Sequence, residues 1–136
     1  MGMVWIDMDV GPEPGPARQV RLLIDSGVTY SVLPVDVWQA LGLRPERAME
    51  FVLADGTTVQ RNVSHCFFGY RGVRAPSPVV LGEPGDQALL GTITLENLGL
   101  VLNPFERTLR PMRARLASLY CSGGADARRP VLGRYT

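Results

Sequence analysis

The chain has 136 residues, 46% of them hydrophobic and 20% charged, which suits one soluble globular domain and leaves little room for two. All fourteen basic residues are arginine and the net charge is only +1, so a general affinity for nucleic acid or acidic membranes is not expected. No apolar stretch has the length of a membrane span, and Cys66 and Cys121 show neither a CxxC spacing nor a disulfide framework.

In chain order, Val4 to Val10 alternates loosely and predicts a strand. Asp7, Asp9 and Pro12 interrupt the apolar core a signal peptide would need, so secretion is not expected and the cytosol is the expected compartment. The segment GPEPGP (11–16) predicts a turn, and Arg18 to Ile24 a second strand, forming a hairpin that ends on Asp25. An ionised carboxylate at the inner end of the apolar run Leu22-Leu23-Ile24 is costly unless it is partnered. Ser31 to Pro34 reads as extended. Pro34 then opens a short helix, VDVWQAL, stopped by Gly42, with Trp38 and Leu41 facing the core.

Residues 49–63 predict two short strands around Asp55-Gly56, a hairpin signal. Residues 63–76 predict another hairpin, turning near Tyr70 to Gly72. SPVVLG (77–82) and QALLG (87–91) predict short buried strands separated by the turn EPGD. TITLENLGL (92–100) predicts a short helix closed by Gly99, and residues 100–112 a strand, a turn and a return strand. A terminal helix is expected over 112–120, followed by a tail of linker composition. The sum is an all-β, mainly β, single domain with one or two short helices, spanning residues 1–113, with a flexible C-terminal extension over 114–136.

Several side chains carry chemistry in principle. His65 and Cys66 are neighbours in a predicted strand and so point to opposite faces; with one histidine in the chain, no metal site is expected. Arg107, Arg110, Arg113 and Arg115, with Arg128 and Arg129, lack interleaved aromatics and read as a solvated face. Trp5, Trp38, Phe67 and Phe68 read as core or interface.

The remaining constellation is Asp25-Ser26-Gly27 after an apolar strand, a hairpin about 30 residues later, and Ala88-Leu89-Leu90-Gly91 before a short helix. This order resembles the single-domain retropepsin-like aspartic proteases over about residues 3 to 113, through DSGVTYSVLP, LADGTTV and ALLGTITLENLGL. The resemblance implies a retropepsin-like barrel and an aspartic endopeptidase. It implies that Asp25 is the catalytic carboxylate, that Ser26 locks its loop to a partner loop, and that Gly27 lets a backbone N–H approach the carboxylate. Val28, Leu53, Ala54, Asp55, Gly56 and Thr57 would form the cleft and the flap over substrate, and Leu89, Leu90 and Gly91 would pack beneath the Asp25 loop. Val28 stands where the family usually has alanine, and Asp55 puts a charge at the flap tip.

Aspartic proteolysis needs two carboxylates sharing a proton across a water. The sequence has one Asp-Ser-Gly, so an enzyme of this mechanism must be a homodimer that contributes Asp25 twice, acting on a peptide or protein substrate without a cofactor. The rival reading is a catalytically inactive dimeric peptide-binding module of the same fold.

Overall fold

The computed structural model describes residues 3–113. The terminal helix expected over 112–120 and the extension over 114–136 lie outside the described residues, apart from Met112 and Arg113.

Strands β1 (Val4–Gly11) and β2 (Arg18–Ile24) form the first hairpin, in register from Val4 opposite Ile24 to Val10 opposite Arg18. Strand β3 (Ser31–Leu33) leads into helix α1 (Val35–Ala40). Strands β4 (Arg47–Val52) and β5 (Thr58–Tyr70) form a long hairpin, and β5 turns again into β6 (Val73–Leu81). The two-residue strand β7 (Leu89–Leu90) precedes helix α2 (Thr92–Asn97). Strands β8 (Leu100–Asn103) and β9 (Thr108–Pro111) make a separate two-stranded sheet.

The main sheet runs β1-β2-β7-β3-β6-β5-β4, and β1 also pairs with β5 through Asp9 to Gly11. That second pairing closes the sheet on itself and leaves β4 as an arm on β5. Inward residues of successive strands fill the interior: Met8, Val10, Val20, Leu22, Leu33, Phe68, Val79 and Leu90 are buried. The alternation along β2, with Val20, Leu22 and Ile24 buried and Arg21 exposed, is the period of two that sets one face to the core.

The mainly β, single-barrel fold with two short helices matches the expectation. Two boundaries differ. The sequence predicts a break near residue 63 and a separate strand from 77, whereas β5 and β6 are each continuous. Their reason is shared: β5 changes neighbours along its length, pairing with β4 over residues 58–63 and with β1 over 67–69, so its residues lose simple alternation. In α1 the buried residue is Val37, while Trp38 packs at the core's edge and donates its indole N–H to the Gly82 carbonyl at 3.0 Å.

Candidate active site

The stretch 25–30 is an irregular loop between β2 and β3, and β7 lies in the gap it leaves. β7 pairs in parallel with β2, Leu23 opposite Leu89 and Ile24 opposite Leu90, and antiparallel with β3, Val32 opposite Leu89. The loop is therefore carried on strands from both halves of the chain. Its own carbonyls are taken up by the start of α2: the Thr92 N–H donates to Val28 at 2.9 Å and the Ile93 N–H to Thr29 at 3.0 Å. These are N–H groups that a helix's first turn cannot satisfy internally.

The Asp25 carboxylate accepts the Gly27 N–H at 2.9 Å, its one hydrogen bond among the described residues. A Cβ on Gly27 would stand 3.3 Å from that carboxylate oxygen, tighter than side chains ordinarily come. Gly91 is more constrained: a Cβ there would lie 2.4 Å from the Thr29 carbonyl oxygen and 2.6 Å from the Tyr30 carbonyl carbon. Leu90 is fully buried and Leu89 half-buried, directly beside the loop.

Asp25, Ser26 and Gly27 are all exposed, which corrects the expectation of a carboxylate at the buried inner end of a strand. Burial ends with Ile24, the last inward residue of β2; Asp25 comes after the barrel's rim, where the chain turns outward.

The β4–β5 hairpin overhangs the loop. Between them lies a groove of about 510 Å³. Of the predicted cleft and flap residues, Val28 and Leu53 line it, as does Leu89, expected beneath the loop, whereas Ala54, Asp55, Gly56 and Thr57 form the exposed tip beyond it. At the tip, Asp55 accepts both the N–H and the hydroxyl of Thr57, at 3.0 and 2.7 Å. The hydroxyl bond, then the backbone bond, holds the Asp55 carboxyl below its ordinary range. The tip charge is thus committed to its own turn.

Sequence reasoning missed two links between hairpin and body. Tyr30 and Phe51 meet edge to face with centroids 5.5 Å apart. Arg61 on β5 pairs with Asp86 at 3.1 Å, and Asp86 also accepts the Glu83 N–H at 2.8 Å. All four line the groove. Nothing local in the sequence marks these pairs, because each joins segments at least twenty residues apart.

Elsewhere, His65 is exposed beside Glu46 while Cys66 is buried, on opposite faces as expected, and among the described residues no group of His, Cys, Asp and Glu is arranged to hold a metal. Phe68 is core, and Trp5 lies exposed beneath Arg21. No helix among the described residues is long and apolar enough to cross a membrane.

A closed β-barrel whose Asp-Ser-Gly loop is clamped from behind and overhung by a hairpin is the architecture of an acid-protease domain. Residues 14–94 match the family described as Aspartyl protease, more than half of the chain, and the chain belongs to that family. The retropepsin-like aspartic protease resemblance read from the sequence is borne out by this match. Among solved structures, the chain is similar to the Simian Foamy Virus (mac) protease, with 20% identity and a TM-score of 0.48, over 70% of this chain and 92% of that one. It is also similar to the Prototype Foamy Virus protease-reverse transcriptase, with 17% identity and a TM-score of 0.45, over 84% of this chain and 12% of that one. Among curated proteins, none matches.

Proposed function

We propose that this chain is a cytoplasmic aspartic endopeptidase that works as a homodimer, with residues 1–113 as the protease domain. Asp25 of one copy faces Asp25 of the other across a two-fold axis. The observation that carries the reading is the single Asp-Ser-Gly loop, clamped from behind, with its carboxylate exposed and held, among the described residues, only by the Gly27 N–H beside a hairpin-covered groove.

Two carboxylates brought that close do not both ionise, so the pair keeps one proton. The ionised partner takes a proton from a water lying between them; the protonated partner donates to the carbonyl oxygen of the peptide bond as the water attacks. The amine leaves with the proton taken from the water, while a hydroxyl of the tetrahedral diol gives its proton to the other carboxylate, so the pair again holds one proton. No cofactor enters these steps. An extended peptide lies in the groove, pairing its backbone with the β4–β5 hairpin and placing side chains against Val28, Leu53 and Leu89. Ser26, exposed in the single chain, is the residue set to bond across to the partner loop.

The test incubates wild type and Asp25→Asn with an unfolded protein from acidic to neutral pH and reads products by mass spectrometry, with sedimentation in parallel. Cleavage by a dimeric wild type on the acid side, lost in an equally folded and dimeric Asp25→Asn, is the expected result. A strictly monomeric wild type, or equal cleavage by both proteins, ends the proposal. Peptide binding without cleavage assigns the fold to a binding module instead.

A further inference from the structure

Behind the Asp25 loop three hydroxyls lie in a row, fully or almost fully buried: Ser31 at 0%, Thr94 at 0% and Ser77 at 2% exposure. Each comes from a different element, β3, α2 and β6 respectively. The Gly91 N–H donates to Ser31 Oγ at 2.9 Å, Ser31 Oγ lies 2.5 Å from Thr94 Oγ1, Thr94 Oγ1 lies 2.8 Å from Ser77 Oγ, and Ser77 Oγ donates to the Pro78 carbonyl at 3.1 Å.

The direction of this chain follows from counting protons. Each hydroxyl has one proton to give. The Pro78 carbonyl only accepts, so the Ser77 proton goes there. The bond between Ser77 and Thr94 must then be donated by Thr94. That uses Thr94's proton, so Ser31 donates to Thr94. Ser31 is left with lone pairs, and the Gly91 N–H fills one. The opposite direction would leave the proton of the fully buried Ser31 without an acceptor in this row, since an N–H cannot accept it. The one arrangement that uses every proton runs head to tail from Gly91 to Pro78, and bonds in such a series reinforce one another.

We propose that this hydroxyl relay is a positioning device for Asp25, and that Ser31, Thr94 and Ser77 are positioning residues. The proposal rests on Asp25 being the catalytic carboxylate. The relay locks α2 against β3 and β6. α2 in turn presents the Thr92 and Ile93 N–H groups to the loop carbonyls of Val28 and Thr29, and the Leu90 carbonyl faces the Asp25 N–H at 3.5 Å. A helix of six residues has little hold of its own on its rotation. Thr94 fixes it at mid-length, one helical step from the two N–H groups that grip the loop.

The test uses full-length Thr94→Val, which keeps the shape and removes the hydroxyl, with Thr94→Ser as the restoring variant and Ser77→Ala as a second break should Thr94→Val not fold. Amide exchange at Gly91, Thr92 and Ile93 is measured together with cleavage of an unfolded protein. The relay-broken variant is expected to exchange these amides at least about 10-fold faster and to lose about 10-fold or more in kcat with KM little changed, and Thr94→Ser to restore both. Unchanged exchange overturns the relay. Faster exchange with unchanged Asp25-dependent kcat overturns its positioning role. If wild-type cleavage survives Asp25→Asn, the functional reading fails and the relay's role in positioning a catalytic Asp25 falls with it; the exchange result then decides only whether the relay holds the loop.

Discussion

Gly91→Ala isolates the close approach on which the Asp25 loop depends. Gly91 has φ −91° and ψ 169°, a backbone conformation open to every residue, so an alanine there meets no torsional strain. The obstacle is space. The new methyl would stand 2.4 Å from the Thr29 oxygen, 2.7 Å from the Thr29 carbonyl carbon and 2.6 Å from the Tyr30 carbonyl carbon, all of them backbone. Relief requires the two segments to part by about 1 Å to reach ordinary contact. Thr29 is not free to retreat, because its carbonyl holds the Ile93 N–H at 3.0 Å, with the Thr92 bond to Val28 at 2.9 Å alongside. Losing both bonds costs about 2 kcal/mol and the overpacking about 1–3 kcal/mol more. The expected destabilisation is about 3–5 kcal/mol, or about 10–20 °C in Tm for a domain of this size. Thermal unfolding followed by circular dichroism measures it. Gly56→Ala serves as the control: with φ +89° and no atom within 4 Å of the added methyl, it meets strain alone. That strain is about 1 kcal/mol, or about 4 °C. If Gly91→Ala melts no lower than Gly56→Ala, the loop is not held by this contact and the reasoning fails.

Arg61→Met and Asp86→Asn untie the hairpin from the 83–86 turn; because the pair is partly exposed at 23% and 30%, the stability loss should stay under about 1 kcal/mol while KM for a peptide rises several-fold, as steady-state kinetics would register. Burial pushes the Cys66 thiol from an ordinary 9.0 up to about 12. The unfolded chain releases that proton first, so stability is full below pH 9 and falls as pH rises toward 12, with a slope of up to about 1.4 kcal/mol per pH unit that Cys66→Ala should abolish in urea titrations. In a Cys121→Ser background, Cys66 should resist thiol reagents until the protein unfolds. Asp55 has the opposite sign: its carboxyl is lowered, so its contribution is present above the ordinary 3.8 and is lost as pH falls through the lowered value. Thr57→Val should return the Asp55 carboxyl titration, read by NMR, toward 3.8.

Much of the fold is legible where one physical signal acts alone. The alternation of Arg18 to Ile24, the Asp55-Gly56 turn and the stops at Gly42 and Gly99 all fall where local chemistry places them. Legibility fails where tertiary pairing intervenes. The continuity of β5 past residue 63 comes from its exchange of partners, which no window of sequence contains. The candidate site divides in the same way. Asp25, Gly27 and Gly91 are visible as residue types in a spacing, but the Arg61–Asp86 and Tyr30–Phe51 links are products of the fold. Ser31, Ser77 and Thr94 lay within reach: each is a hydroxyl set in an apolar run, SVL, SPVVL or TITL, and a buried hydroxyl requires a partner.

An Asp-Ser-Gly at a strand end is also an ordinary way to make a turn, with the carboxylate capping the N–H two residues on, and the Gly27 bond to Asp25 is that cap. The cap therefore does not separate a structural turn from a catalytic loop. What separates them is the back of the loop. A turn that serves only to reverse the chain is complete with its local bond. Here residues some sixty positions later supply two backbone N–H groups to its carbonyls, a glycine packed below normal contact distance, and a buried polar relay behind that glycine. Every buried side-chain polar atom among the described residues has a hydrogen-bond partner, while the carboxylate on the open side makes no salt bridge among the described residues. A scaffold that immobilises an acid and leaves it unneutralised is suited to bringing that acid against a second one, where their shared proton does the chemistry.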